Sequence, residues 1–102
     1  MRAGAFLIPL LLTGCSPALN TFEVSAPRNA SASLRLCGRD TDLERLGGKL
    51  VALRAIDCEG DGSIVVRAAN RPPVICIVGY VTPGAVQSFR FRIDGDRCVA
   101  AS

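Results

Sequence analysis

The stretch VICIVGYVTPGAVQSFRFRIDGDRCVA, residues 74–100, decides the fold class. Its first eight residues are an almost unbroken apolar run, as expected of a strand with both faces buried, so Val74–Val81 is expected to be a central strand. Thr82, Pro83 and Gly84 place Pro and Gly where a type II turn requires them. Residues 86–93 then alternate, with Phe89, Phe91 and Ile93 on one face and Ser88, Arg90 and Arg92 on the other, the pattern of a strand with one wet side. Asp94, Gly95 and Asp96 turn the chain again, and Arg97 to Ala100 adds a closing strand.

The same reading extends towards the N-terminus. Residues 49–58 carry apolar side chains on both faces, Glu59 to Gly62 form a turn, and residues 63–68 contain the β-branched run Ile64, Val65 and Val66, so a hairpin is expected. Pro72 and Pro73 interrupt the pairing because neither donates a backbone hydrogen bond. Residues 33–37 alternate as a further strand. Thr41, Asp42, Leu43 and Glu44 match a capping box, which predicts a helix of one or two turns closed by Gly47 and Gly48. The sum is a mainly β fold, a small antiparallel barrel or two-layer sandwich with one short helix.

Ahead of this domain, Met1 and Arg2 precede the apolar run 3–12, which is about half the roughly 20 residues a membrane-spanning helix needs. Such a start is a signal peptide, residues 1–14. Leu12, Thr13, Gly14 and Cys15 resemble the lipobox of bacterial lipoproteins. The resemblance implies that Cys15 is acylated, becomes the first residue after processing and anchors the chain in membrane lipid. It also implies that Ser16, in place of Asp, directs the product to the outer membrane, facing the periplasm. Residues 15–32, rich in Ser, Ala, Asn and Pro, read as the lipidated N-terminus and a flexible tether, with residues 33–102 as the β domain. The competing reading makes a strand of Thr21 to Ser25, with Phe22 and Val24 on one face. Asn29, Ala30 and Ser31 spell a glycosylation sequon, which a bacterial export route makes accidental.

Four cysteines remain: Cys37, Cys58, Cys76 and Cys98. An even number in a short exported chain argues for two disulfides, and no pair has the C-x-x-C spacing of a thiolate zinc site. Three connectivities are open. Sequential pairing is the first choice, against a geometric objection: in a simple meander Cys76 and Cys98 would sit on strands ~9.6 Å apart, whereas disulfide Cα atoms rarely exceed ~7 Å. Either the last segment leaves the meander or the pairing is not sequential. The staples answer a need, since about 70 residues form too small a core to supply much stability alone.

Composition narrows the function. The formal charge is +3 with 12 Lys and Arg against 9 Asp and Glu, too small an excess to imply a nucleic-acid partner. With no histidine, Ser-His-Asp hydrolysis and the common zinc sites are excluded. No Ser, Thr or acidic pair is nominated for catalysis, so no enzyme, cofactor or metal is expected. Asp57, Glu59, Asp61, Gly62 and Ile64 follow a calcium loop until its twelfth position, where Ala68 stands in place of the bidentate Glu, and read better as an acidic turn. Arg90 and Arg92 share a strand face, which Arg67 and Arg97 would join if neighbouring strands pair. Such a stripe can grip phosphate or carboxylate groups of an envelope polymer or protein. Arg71 before Pro72 and Pro73 is the candidate for an inhibitory loop. The expected role is a membrane-anchored structural or binding module of the cell envelope; the alternative is an inhibitor of an envelope-targeting enzyme such as lysozyme or a protease.

Overall fold

The computed structural model describes residues 18–101; the expected leader 1–14 and the acylated Cys15 lie outside them. Among the described residues nine strands alternate along the chain: β1 (Asn20–Ser25), β2 (Ser31–Leu36), β3 (Arg39–Asp42), β4 (Glu44–Leu46), β5 (Lys49–Arg54), β6 (Gly60–Arg67), β7 (Val74–Val81), β8 (Ser88–Asp94) and β9 (Arg97–Ala100). They form two sheets, β4-β5-β1-β8-β9 and β3-β2-β6-β7. Neither sheet closes into a barrel. One buried cluster draws Phe22, Val24 and Leu50 from the first sheet and Leu34, Leu36 and Ile64 from the second.

Four expectations are corrected. The segment read as tether supplies β1, the central strand of the larger sheet, paired antiparallel to β5 and parallel to β8. Phe22 and Val24 are completely buried there, and Phe22 stacks on Phe89 with ring centroids 5.0 Å apart. Burial of such side chains stabilises by about 1.5–3 kcal/mol each, which is why two apolar residues among small polar ones suffice to recruit the segment. The domain therefore begins at Asn20, not at residue 33.

The helix expected from the capping box is absent. Thr41 pairs with Leu34 and Arg45 with Leu50, so the segment serves first as an edge of one sheet and then as an edge of the other. Leu43 marks the switch: it is buried, and its N–H donates to the Ala32 carbonyl at 2.9 Å. A helical turn here would leave β2 and β5 without these partners, and ladder hydrogen bonds outweigh a local capping preference.

The hairpin expected from residues 49–68 does not form, because β5 and β6 belong to different sheets. Likewise β7 is an edge strand, not a central one. Its Ile75 and Ile77 side chains are 55% and 68% exposed, while the intervening Cys76 is buried. The apolar run hid a one-sided strand whose outer face is also apolar. A bulge falls where β7 passes Gly62 and Ser63, with Gly79 at φ +93°. A Cβ on Gly62 would meet Leu36 Cδ1 at 2.9 Å, so glycine lets the bulged strands approach the core.

Residues 74–100 are not a meander: the chain changes sheets between β7 and β8. That resolves the objection to sequential pairing. Cys76 on the edge of one sheet faces Cys98 on the edge of the other, with Cα atoms 5.2 Å apart and the sulfurs bonded. Cys37 is bonded to Cys58, with Cα atoms 5.6 Å apart. The two sheets are thus joined along one side by the chain itself at Leu43 and along the other by a disulfide. Cys37 lies in a two-residue β2–β3 turn in which both it and Gly38 have positive φ, 56° and 72°, the geometry of a type I′ hairpin.

Candidate functional site

Strand direction divides the molecule into two ends. β1, β5, β6, β7 and β8 have one terminus each at the end where β1 begins, here the Asn20 pole, together with the β2–β3, β5–β6 and β7–β8 connections. The opposite Ser25 pole gathers the β1–β2, β4–β5, β6–β7 and β8–β9 connections.

At the Asn20 pole the polar groups satisfy one another. Asn20 is buried; its Oδ1 accepts from the Gln87 N–H at 2.6 Å and its Nδ2 donates to the Arg54 carbonyl at 3.4 Å, which fixes the start of β1 between its two neighbours. Arg54 Nη1 donates to Thr41 Oγ1. Arg39 Nη2 donates to Asp57 Oδ2 at 2.7 Å, and this hydrogen bond holds the Asp57 carboxyl below its ordinary range. Nearby, Arg35 pairs with Asp40 at 3.0 Å and lowers that carboxyl in the same way. Tyr80 donates its hydroxyl to Glu59 Oε1 at 2.7 Å, which pushes the phenol above its ordinary value. Two carboxylates of the acidic turn 57–61 thus serve an arginine and a tyrosine. The one cluster with metal-ligand spacing among the described residues, Cys37, Asp57 and Cys58, is a disulfide beside an ion-paired carboxylate, so it offers no thiolate.

The Ser25 pole is built differently. The Cys76–Cys98 disulfide lies near the starts of β7 and β9 at this end, and one arginine of β4 ties the β1–β2 connection: Arg45 Nη2 donates to the carbonyls of Pro27 and Ala30 at 2.9 and 3.0 Å. Lys49 is paired with Glu23 at 3.1 Å. The other cations of this pole, Arg28, Arg67, Arg71, Arg92 and Arg97, make no ion pair among the described residues. Only Asp94 and Asp96 accompany them.

The four arginines singled out in the sequence divide accordingly. Arg90 and Arg92 share the outward face of β8, and Arg97 stands opposite Asp94 on that face. Arg67 ends β6 in the other sheet, paired with Ser31, and no strand pairing brings it to β8. β6 and β8 end at the same pole, but Arg67 lies on the outer face of its sheet beside Arg35 and Asp40, and Arg92 and Arg97 on the outer face of the other sheet. Arg90 lies in mid-strand opposite Glu23. Arg28 escaped notice altogether, since a lone arginine in a Pro-Arg-Asn turn carries no periodic signal. Arg71 folds back, with Nη1 3.4 Å from the Gly95 carbonyl.

Cavities are slight. A crevice of about 20 Å³ between Arg71, Pro72 and Gly95 at the Ser25 pole has room for about one water molecule. Two shallow surface grooves measure about 340 Å³ against Leu46 and Leu53 and about 180 Å³ against Val65 and Arg67. Among the described residues no helix is long and apolar enough to cross a membrane. No protein-family model, curated protein or solved structure matches the chain.

Proposed function

We propose that the protein is a lipid-anchored binding module of the bacterial envelope, held in the outer membrane through acylated Cys15 and facing the periplasm. The observation that carries this reading is the spacing between anchor and fold. Four residues, 16–19, separate Cys15 from the first residue of β1, and even fully extended the interval from Cys15 to Asn20 reaches only about 17 Å. An acylated Cys15 therefore holds the domain against the headgroups with the Asn20 pole inward, in contrast to a module floating on a long tether. Exposed Leu19 and Val86 at that pole suit the interface, and the β7–β8 connection, residues 82–87, carries no charge. The opposite pole, with its unpaired arginines, is left for a partner.

Metabolic labelling with an alkyne palmitate analogue tests the anchor. Wild-type protein is expected to take the label and fractionate with the outer membrane, while Cys15→Ser stays unlabelled. Label retained by Cys15→Ser, or an unlabelled wild-type protein, would remove the proposal.

A further inference from the structure

We infer that the Ser25 pole docks a carboxylate-bearing polymer of the cell wall. The inference rests on the anchored reading for its orientation, and on the pole itself for its chemistry. Arg28 stands on the β1–β2 connection, Arg67 and Arg71 flank the β6–β7 connection, and Arg92 and Arg97 flank the β8–β9 turn. Five arginines thus ring one end of the molecule, Arg67 on the outer face of one sheet and Arg92 and Arg97 on that of the other, with Asp94 and Asp96 in the β8–β9 turn, whereas the acids of the other end are largely matched by arginine or tyrosine.

The alternatives are separated by size and distance. Lipid headgroups of the protein's own leaflet lie on the wrong side: β6 and β7 are eight residues long, which at about 3.3 Å per residue sets the poles about 25 Å apart, some three screening lengths at physiological salt. A small pocketed anion has no enclosed site: the crevice beside Arg71 holds about one water, and the groove of about 180 Å³ against Arg67 is an open surface feature that Asp40 shares. A folded protein partner calls for an apolar core with charge at its rim. None of the exposed large apolar residues lies in the three connections that carry or border the arginines. Guanidinium groups spread over separate loops, each able to take a carboxylate through paired N–H donors, match a string of regularly spaced carboxylates.

Cosedimentation of the full chain, purified in non-ionic detergent, with isolated cell-wall sacculi tests this. Wild-type protein is expected to pellet with sacculi, to be released by added salt, and to lose binding when the sacculus carboxylates are amidated with carbodiimide. The triple variant R67Q/R92Q/R97Q is expected to weaken binding by about tenfold or more. Its unchanged thermal melt would show that the fold survives, and R90Q, outside the pole, is expected to bind as wild type. Wild-type protein that stays in the supernatant, a triple variant that pellets undiminished, or equal binding to amidated sacculi would overturn the inference. So would binding to anionic vesicles of phosphatidylglycerol by unacylated Cys15→Ser chain as strong as its binding to sacculi. The two readings fail separately: a wild-type chain that takes no palmitate label yet pellets with sacculi would fail the anchor reading alone, and a labelled chain that ignores the wall would fail this one alone.

Discussion

The two ends of this molecule are stabilised by different means. At the Asn20 pole a disulfide, a buried asparagine and paired charges leave few polar groups without a partner. Towards the Ser25 pole the second disulfide joins β7 to β9 and one arginine ties the β1–β2 connection, while five other arginines are left without ion pairs among the described residues. Groups that satisfy one another hold a shape, whereas charges left over after the shape is held are available to something else. The difference teaches that the five unpaired arginines of the Ser25 pole take no part in the ion pairs that hold this fold together.

Removing the staple of the Asn20 pole gives the largest effect. Cys37 and Cys58 are 21 residues apart, and the chain-entropy model assigns a loop of that size about 3 kcal/mol. The double variant C37A/C58A is expected to lose about that much in urea denaturation. A loss near zero would mean that the pole is held without its disulfide.

One substitution at each pole sharpens the contrast. Asn20→Ala removes the buried acceptor of the Gln87 N–H, and Arg45→Met takes the guanidinium from the carbonyl of buried Ala30; each is expected to cost about 1 kcal/mol in the same assay. A neutral Arg45→Met would show that the β1–β2 connection is held without this arginine and would break the comparison at its weaker end.

Smaller effects come from titration. Hydrogen bonds from Arg39 and Arg35 lower the Asp57 and Asp40 carboxyls in the folded chain, so their contribution is present above the ordinary aspartate value and is lost as pH falls through the lower folded one. Urea midpoints measured down that acid range are expected to fall less steeply in Asp57→Asn than in wild type. Tyr80 is the one tyrosine of the chain and there is no tryptophan, so its ionisation can be followed by absorbance alone. Its folded value is raised by the bond to Glu59, and the corresponding contribution is present below the ordinary tyrosine value and lost as pH rises through the folded one. Glu59→Ala is expected to move the midpoint down, and an unmoved midpoint would show that this bond is not made.

Strands were legible where a periodic pattern and its turns agreed. Val74–Val81 and the closing strand Arg97–Ala100 fall where the sequence puts them, and Phe89, Phe91 and Ile93 turn towards the core as their alternation requires. The failures share a cause, which is that sheet membership is not written locally. Leu43 reads as part of a capping box because nothing nearby reveals that β2 and β5 wait on either side of it. Ile75 and Ile77 read as core because exposure depends on which strand lies beyond β7. The arginine stripe was half legible: Arg90, Arg92 and Arg97 follow from alternation and a turn, but Arg67 belongs to the other sheet, because the order in which strands cross between sheets is not written locally.

Quenching of environment-sensitive probes by lipids spin-labelled at the headgroup tests the central claim directly, namely that the anchor holds the Asn20 pole against lipid and turns the Ser25 pole outward. With the acylated chain in vesicles, a probe incorporated at Val86 is expected to be quenched strongly and one at Asn29 hardly at all. Equal quenching at both positions, or the reverse order, would contradict the account.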